Sequence, residues 1–170
     1  MKKITLTALL LLLSVMAFAQ EAGTLKTETT KEYTRYFFNY KKSLPILFSN
    51  ENGNIKYYIE KYKNFDGANS YNLVLQMNED LSKSNNKDVY VTVIFENYSA
   101  INARPTIENK DFFNGSITIP IQNIERLSTI PIKSIIIKHN VSDATDIIFT
   151  EPDYGIQTLM ADAKTLKTAI

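Results

Sequence analysis

From Glu32 onward, short apolar runs alternate with polar clusters. Val89, Val91, Val93 and Phe95 take every second position, with Tyr90, Thr92 and Ile94 between them and Glu96 and Tyr98 continuing the other face. That period of two marks a strand with one face turned to a core. Tyr71, Leu73, Leu75 and Met77 repeat it, as do Ile117, Ile119 and Ile121, and then Ile135, Ile137, His139 and Val141. Ile136 points the other way, so both faces of that last strand are expected to be covered. Further β-branched and aromatic runs cover Tyr33 to Tyr40, Leu44 to Phe48, Asn54 to Tyr62 and Thr145 to Thr150, for a total of about eight strands. Ser49-Asn50-Glu51-Asn52-Gly53 reads as a hairpin turn, because Asn-Gly tolerates positive φ. Pro120 and Pro131 lack an N–H and should mark a sheet edge or strand end.

The period changes twice. Ile121, Ile124 and Leu127 are spaced by three, which predicts a helical turn over Gln122 to Ser128. Ile156, Leu159, Met160, Ala163 and Leu166 predict a C-terminal amphipathic helix, and Thr150 to Asp153 reads as its capping box, with Asp in place of the usual Glu. The expected fold is mainly β: an antiparallel β-sandwich or strongly curved sheet closed on one face by the C-terminal helix. Leu73, Leu75, Val91, Val93, Phe95, Ile117, Ile119, Ile135, Ile137, Leu159 and Met160 are its expected core.

The N-terminus carries an address. Lys2 and Lys3, an apolar run through Leu9 to Leu13, and Ala17-Phe18-Ala19 form the three parts of a secretory signal, with cleavage expected between Ala19 and Gln20. The run from Ile4 to Phe18 is shorter than the roughly 20 residues a spanning helix needs. No transmembrane segment is expected in the mature chain. Residues 1–19 are thus a signal peptide, 20–31 a flexible polar leader and 32–170 a single β-rich domain. Absence of cysteine after the cleavage site excludes the usual lipoprotein acylation and suits a bacterial periplasm or cell exterior.

Composition narrows the chemistry. Loss of Lys2 and Lys3 turns a balance of 19 basic and 18 acidic residues from +1 to −1, with no basic excess to hold nucleic acid. Zero cysteines and one histidine exclude thiol nucleophiles, disulfides and multi-histidine metal sites within one chain. No glycine-rich phosphate loop, nucleophile elbow or metalloprotease helix occurs. No cofactor or catalytic residue is assigned.

The alternating strand from Ile117, the turn Ile124-Glu125-Arg126-Leu127 and the strand Pro131-Ile132-Lys133-Ser134-Ile135-Ile136-Ile137, followed by a hairpin and terminal helix, form a recognisable order. It resembles the C-terminal part of small exported β-rich proteins of unassigned function from Bacteroides-like Gram-negative bacteria. The resemblance implies a periplasmic or surface address and a sandwich-like fold. It implies no reaction.

Among candidate sites, His139 has the right side chain for acid–base work but no identifiable partner, and reads as a strand-end residue. Glu96, Glu108, Asp111 and Asp146 near strand ends could supply paired carboxylates for a hydrolase. Asn140, Asp143 and Asp146 recur every three residues and could offer oxygens to calcium, but their spacing does not match an EF-hand, and Asn50, Asn52, Gly53 and Asn54 are explained more simply by the hairpin turn. Ten tyrosines stand out, and Tyr58, Tyr62, Tyr90 and Tyr98 are the candidate binding residues, forming one aromatic surface if their strands share a sheet. The leading functional expectation is a noncatalytic binding or interaction module of the bacterial envelope whose partner is another envelope protein. The alternatives are a carrier of a small ligand (lipid, glycan or peptide) in a tyrosine-lined pocket, and a carboxylate-dependent hydrolase.

Overall fold

A computed structural model describes residues 23–50, 53–78, 89–109, 115–139 and 146–170. In chain order the elements are β1 (Thr24–Thr29), β2 (Tyr33–Asn39), β3 (Ile46–Asn50), β4 (Gly53–Asn64), β5 (Asn69–Met77), β6 (Val89–Phe95), β7 (Ala100–Ala103), β8 (Thr106–Asn109), β9 (Gly115–Ile121), α1 (Ile124–Thr129), β10 (Ile132–His139), β11 (Ile147–Phe149) and α2 (Gly155–Thr168). All pairings between these strands are antiparallel. One sheet has seven strands in the order β1-β2-β4-β5-β9-β8, with β3 also on β4, and the other has four in the order β11-β10-β6-β7. On the edge away from β5, long β4 serves two neighbours: β3 pairs with its first residues, up to Lys56, and β2 with Glu60 to Asn64.

Alternation decides which side chains meet. Ile55, Tyr57 and Ile59 of β4, Leu73 and Leu75 of β5 and Ile117 and Ile119 of β9 share one cluster with Val91, Val93, Phe95, Ile135 and Ile137 of the smaller sheet. Helix α2 adds Ile156, Leu159, Ala163 and Leu166 to that cluster and packs over β2, β3 and β4. The expected core residues are buried, except Met160, which is partly buried against the cluster. The architecture is therefore the mainly β, two-sheet arrangement with a C-terminal helix that the sequence periodicities predict, with eleven strands among the described residues rather than about eight.

Three local expectations are corrected. Residues 24–29, read as part of a flexible leader, form β1, in register on β2 from Thr24 opposite Asn39 to Thr29 opposite Thr34. An edge strand has one neighbour and largely solvated faces, so β1 needs little apolar content: only Leu25 packs on the core, and Glu28 bridges to Arg35 across the ladder. The capping box does not form. Residues 151–153 instead extend along β3, with Ser49 N–H donating to Glu151 O at 3.2 Å and Asp153 N–H to Leu47 O at 3.0 Å, and α2 begins only at Gly155. Finally, the second face of β10 is open, since Ile136 is half-buried and its cross-strand neighbour Ile148 is 53% exposed.

The two prolines sit where the missing N–H costs nothing to the ladder. β8 is in register with β9 no further than Thr118, so Pro120 lies past that pairing, and Pro131 immediately precedes β10. Asn50 opposes Gly53 at the β3–β4 hairpin, where Gly53 has φ of 142°. Glu51 and Asn52 of that turn lie outside the described residues.

Candidate functional site

The four candidate tyrosines are divided by the topology. Tyr58 and Tyr62 occupy even positions of β4, opposite in phase to core residues Ile55, Tyr57 and Ile59, and so lie on the outer face of the seven-stranded sheet. Tyr90, by the same parity, lies on the outer face of the four-stranded sheet. Tyr98 belongs to the turn after β6, with φ of 62°, 78% exposed, and Lys133 Nζ 4.4 Å from its ring centroid. Since β4 and β6 belong to different sheets, the four do not form one aromatic surface.

Sequence periodicity missed the polar centre on the outer face of the larger sheet. Glu60, 5% exposed, accepts hydrogen bonds on Oε2 from Arg35 Nε at 2.8 Å and on Oε1 from the Tyr62 hydroxyl at 3.0 Å, with Arg35 Nη2 also 2.7 Å from Oε2. Arg35 lies over the Phe37 ring and reaches Glu28 at 3.3 Å. Burial, together with the Glu60 charge and hydrogen bond, pushes the Tyr62 phenol up to about 12. With both oxygens engaged, Glu60 is held as a structural anion rather than presented as a base. Replacing Arg35 by Met should strand that carboxylate and lower stability by about 2 kcal/mol, less than a fully buried pair because Arg35 is partly solvated. Urea unfolding would show it, and an unchanged midpoint would mean that the Tyr62 hydroxyl and Asn72 Nδ2, 3.5 Å from Glu60 Oε1, suffice.

A second buried carboxylate lies under α2. Asp162 is 5% exposed and its Oδ2 accepts from the Tyr57 hydroxyl at 3.0 Å and from the Tyr40 hydroxyl. Burial raises the carboxyl to about 6 although both phenols, by donating to it, pull the other way.

The other candidates are dispersed. Asp146 precedes β11 near the Lys138 end of β10, whereas Glu96 follows β6 at the opposite end of the same sheet, and Glu108 is on β8 of the larger sheet. Asp111, Asn140, Asp143, Ala19 and Gln20 lie outside the described residues. His139 closes β10 opposite Val89. Among the described residues no group of three His, Asp or Glu gathers in a geometry that could hold a metal ion.

What the fold does bring together lies along β7. This strand is an edge of the four-stranded sheet. Phe95 N–H donates to Ser99 O at 2.9 Å and Ile101 and Ala103 oppose Val93 and Val91, so alternate residues Ala100 and Asn102 turn their backbone N–H and C=O away from β6. Arg126 Nη1 donates to Ala100 O at 2.9 Å, consistent with that phase. Beside the edge is a groove of about 490 Å³ lined by β7, Arg104, Pro120, Gln122, Asn123 and Arg126. On the other side of β7 is a hollow of about 400 Å³ lined by Tyr90, Thr92, Asn102 and Arg104. Arg104 Nη2 donates to the Tyr90 hydroxyl at 2.7 Å and Arg126 lies over the Phe95 ring, 5.7 Å from its centroid. Neither arginine makes an ion pair with a carboxylate among the described residues. The sequence signal for this site was thin: a four-residue strand followed by Arg-Pro, and an arginine in a short helix.

Comparison with known proteins finds no matching family model, no matching curated protein and no matching solved structure.

Proposed function

We propose that the chain is a noncatalytic, exported interaction module of a bacterial envelope, periplasmic or on the cell exterior, which binds another polypeptide along β7. One observation carries the reading: an open strand edge lies between a groove and a hollow, with two guanidinium groups that no carboxylate among the described residues neutralises. An edge of this kind offers unsatisfied main-chain donors and acceptors, the element from which strand-addition interfaces are built. The secretory pattern of residues 1–19 supports the address. No helix among the described residues is long and apolar enough to cross a membrane.

A small-ligand carrier is the competing reading, since about 490 Å³ also suits a small molecule. The groove lining contains no tyrosine, and the adjoining hollow contains only Tyr90. Native mass spectrometry of the protein released from its own envelope fraction separates the two. A stoichiometric polypeptide companion is the expected result. A stoichiometric small-mass adduct on an otherwise lone chain would replace the interaction module with the carrier.

A further inference from the structure

Resting on that reading, we infer that the partner is an extended, acidic segment of another polypeptide, which adds to the four-stranded sheet as a fifth strand beside β7 and places carboxylates against Arg104 on one face and Arg126 on the other.

The phase of β7 sets the geometry. Asn102 opposes Thr92 without exchanging backbone bonds with it, and the Thr92 hydroxyl donates to Asn102 Oδ1 at 2.9 Å across this close pair. The main-chain N–H and C=O of Asn102 therefore face the open edge, and an incoming residue opposite Asn102 can exchange both bonds with it. Side chains of a strand alternate between faces. The residue opposite Asn102 must then project on the side of the Asn102 side chain, into the hollow of Tyr90, Thr92 and Arg104. Its two neighbours must project the other way, into the groove of Gln122, Asn123 and Arg126.

Charge selects the chemistry on both faces of the incoming strand, with Arg104 on the hollow side and Arg126 on the groove side. A guanidinium presents a planar fork of donors that matches a carboxylate, and Arg126 spends one such donor on Ala100 O while Arg104 spends one on the Tyr90 hydroxyl. The remaining donors have no carboxylate partner among the described residues. A basic segment would meet like charge. A second copy of β7 would bring another Arg104 and Arg126 to the same edge, so pairing between two copies is disfavoured by the same repulsion. A bland role for Arg126 also exists: by capping Ala100 O it blunts the edge against aggregation. It leaves Asn102 open, however, and does not explain Arg104.

The test uses fluorescence anisotropy on the mature protein with three seven-residue probes: Thr-Glu-Glu-Thr-Glu-Glu-Thr, which presents glutamate on both faces of a strand, the same pattern with lysine in place of glutamate, and the glutamate probe with alternate backbone nitrogens methylated. The acidic probe should bind at least about tenfold more tightly than the lysine probe, and N-methylation should weaken it by about tenfold or more, because it removes strand pairing while keeping every charge. The Arg104→Gln and Arg126→Gln variants, each checked for an unchanged melting curve, should each lose about threefold to tenfold in affinity for the acidic probe. If the methylated probe binds as tightly as its parent, the contact is mere charge attraction and strand addition is overturned. Equal binding of the lysine probe overturns the acidic specificity. If no probe binds, Arg126 is only an edge guard and the inference fails. A polypeptide companion seen by native mass spectrometry would then still stand, engaged through another surface, so this inference and the reading beneath it fail separately.

Discussion

Replacing Gly155 by Ala should destabilise the protein by about 3 kcal/mol, the upper end of what backbone overpacking in a well-packed site costs. In an exposed helix the same change would stabilise by up to about 1 kcal/mol, since alanine is the better helix former. Here the sign is reversed by contact. A Cβ built on Gly155 would overlap the carbonyl oxygen of Ile46 and lie 2.6 Å from its carbonyl carbon and 3.2 Å from Leu47 N. Those atoms belong to the start of β3, held on β4 by the ladder and by Tyr57 N–H donating to Pro45 O at 3.1 Å. Neither backbone can yield without moving the start of α2 off the sheet, so the core contacts of Ile156 and Leu159 would loosen with it. Chemical denaturation should show a lower midpoint at an unchanged slope, and melting should fall by roughly 10 °C for a domain of this size. Gly67→Ala is the matching control. Gly67 has φ of 88° and nothing within 4 Å of its would-be Cβ, so only conformational strain of about 1 kcal/mol applies. A stabilised Gly155→Ala variant would mean that α2 does not dock on β3 as described.

Gly155 also shows where sequence reasoning stops. The period-two stripes of Val89 to Phe95, Leu73 to Met77 and Ile117 to Ile121, and the period-three spacing around Ile124, were legible because burial on one face writes itself directly into the chain. β1 was not legible, because an edge strand stabilised by a ladder and cross-strand ion pairing can be polar throughout. The start of α2 was misread because Asp153 and Ser49, 104 residues apart in sequence by neither helix nor turn logic, hydrogen-bond at 2.7 Å. Sheet membership was invisible as well. Tyr58 and Tyr90 look alike in sequence, and only the strand order β1-β2-β4-β5-β9-β8 against β11-β10-β6-β7 separates them. The β7 groove needs three long-range facts at once: that β7 ends a sheet, that α1 returns Arg126 to Ala100, and that Pro120 passes beside it.

The second large effect concerns Asp162, and it is a change of pH dependence. Asp162 falls on the buried stripe of α2, three residues after Leu159 and four before Leu166. Its ordinary carboxyl value of 3.8 rises to about 6 in the folded chain because burial penalises the anion more than Tyr57 and Tyr40 stabilise it. Between these two values the native state holds a proton that the unfolded chain has released, so unfolding free energy falls as pH rises through the window. Below it both states are protonated and the group costs nothing. Above it both are ionised and the full penalty applies, roughly 3 kcal/mol for a shift of this size. Asp162→Asn removes the titration while keeping an oxygen to accept from the two phenols. Any cost of housing the new amide group is the same at every pH and drops out of a comparison across pH. The stability of Asp162→Asn relative to wild type should therefore rise by about 2 kcal/mol between about pH 4 and about pH 8, most of it by about pH 7. Parallel urea titrations of the two proteins across that range read the difference directly, and all other titrating groups cancel. A flat difference would mean that the hydroxyls of Tyr40 and Tyr57 fully offset the burial of the carboxylate. A difference falling with pH would mean that they outweigh it, making the ionised Asp162 a clamp that holds α2 on the sheet.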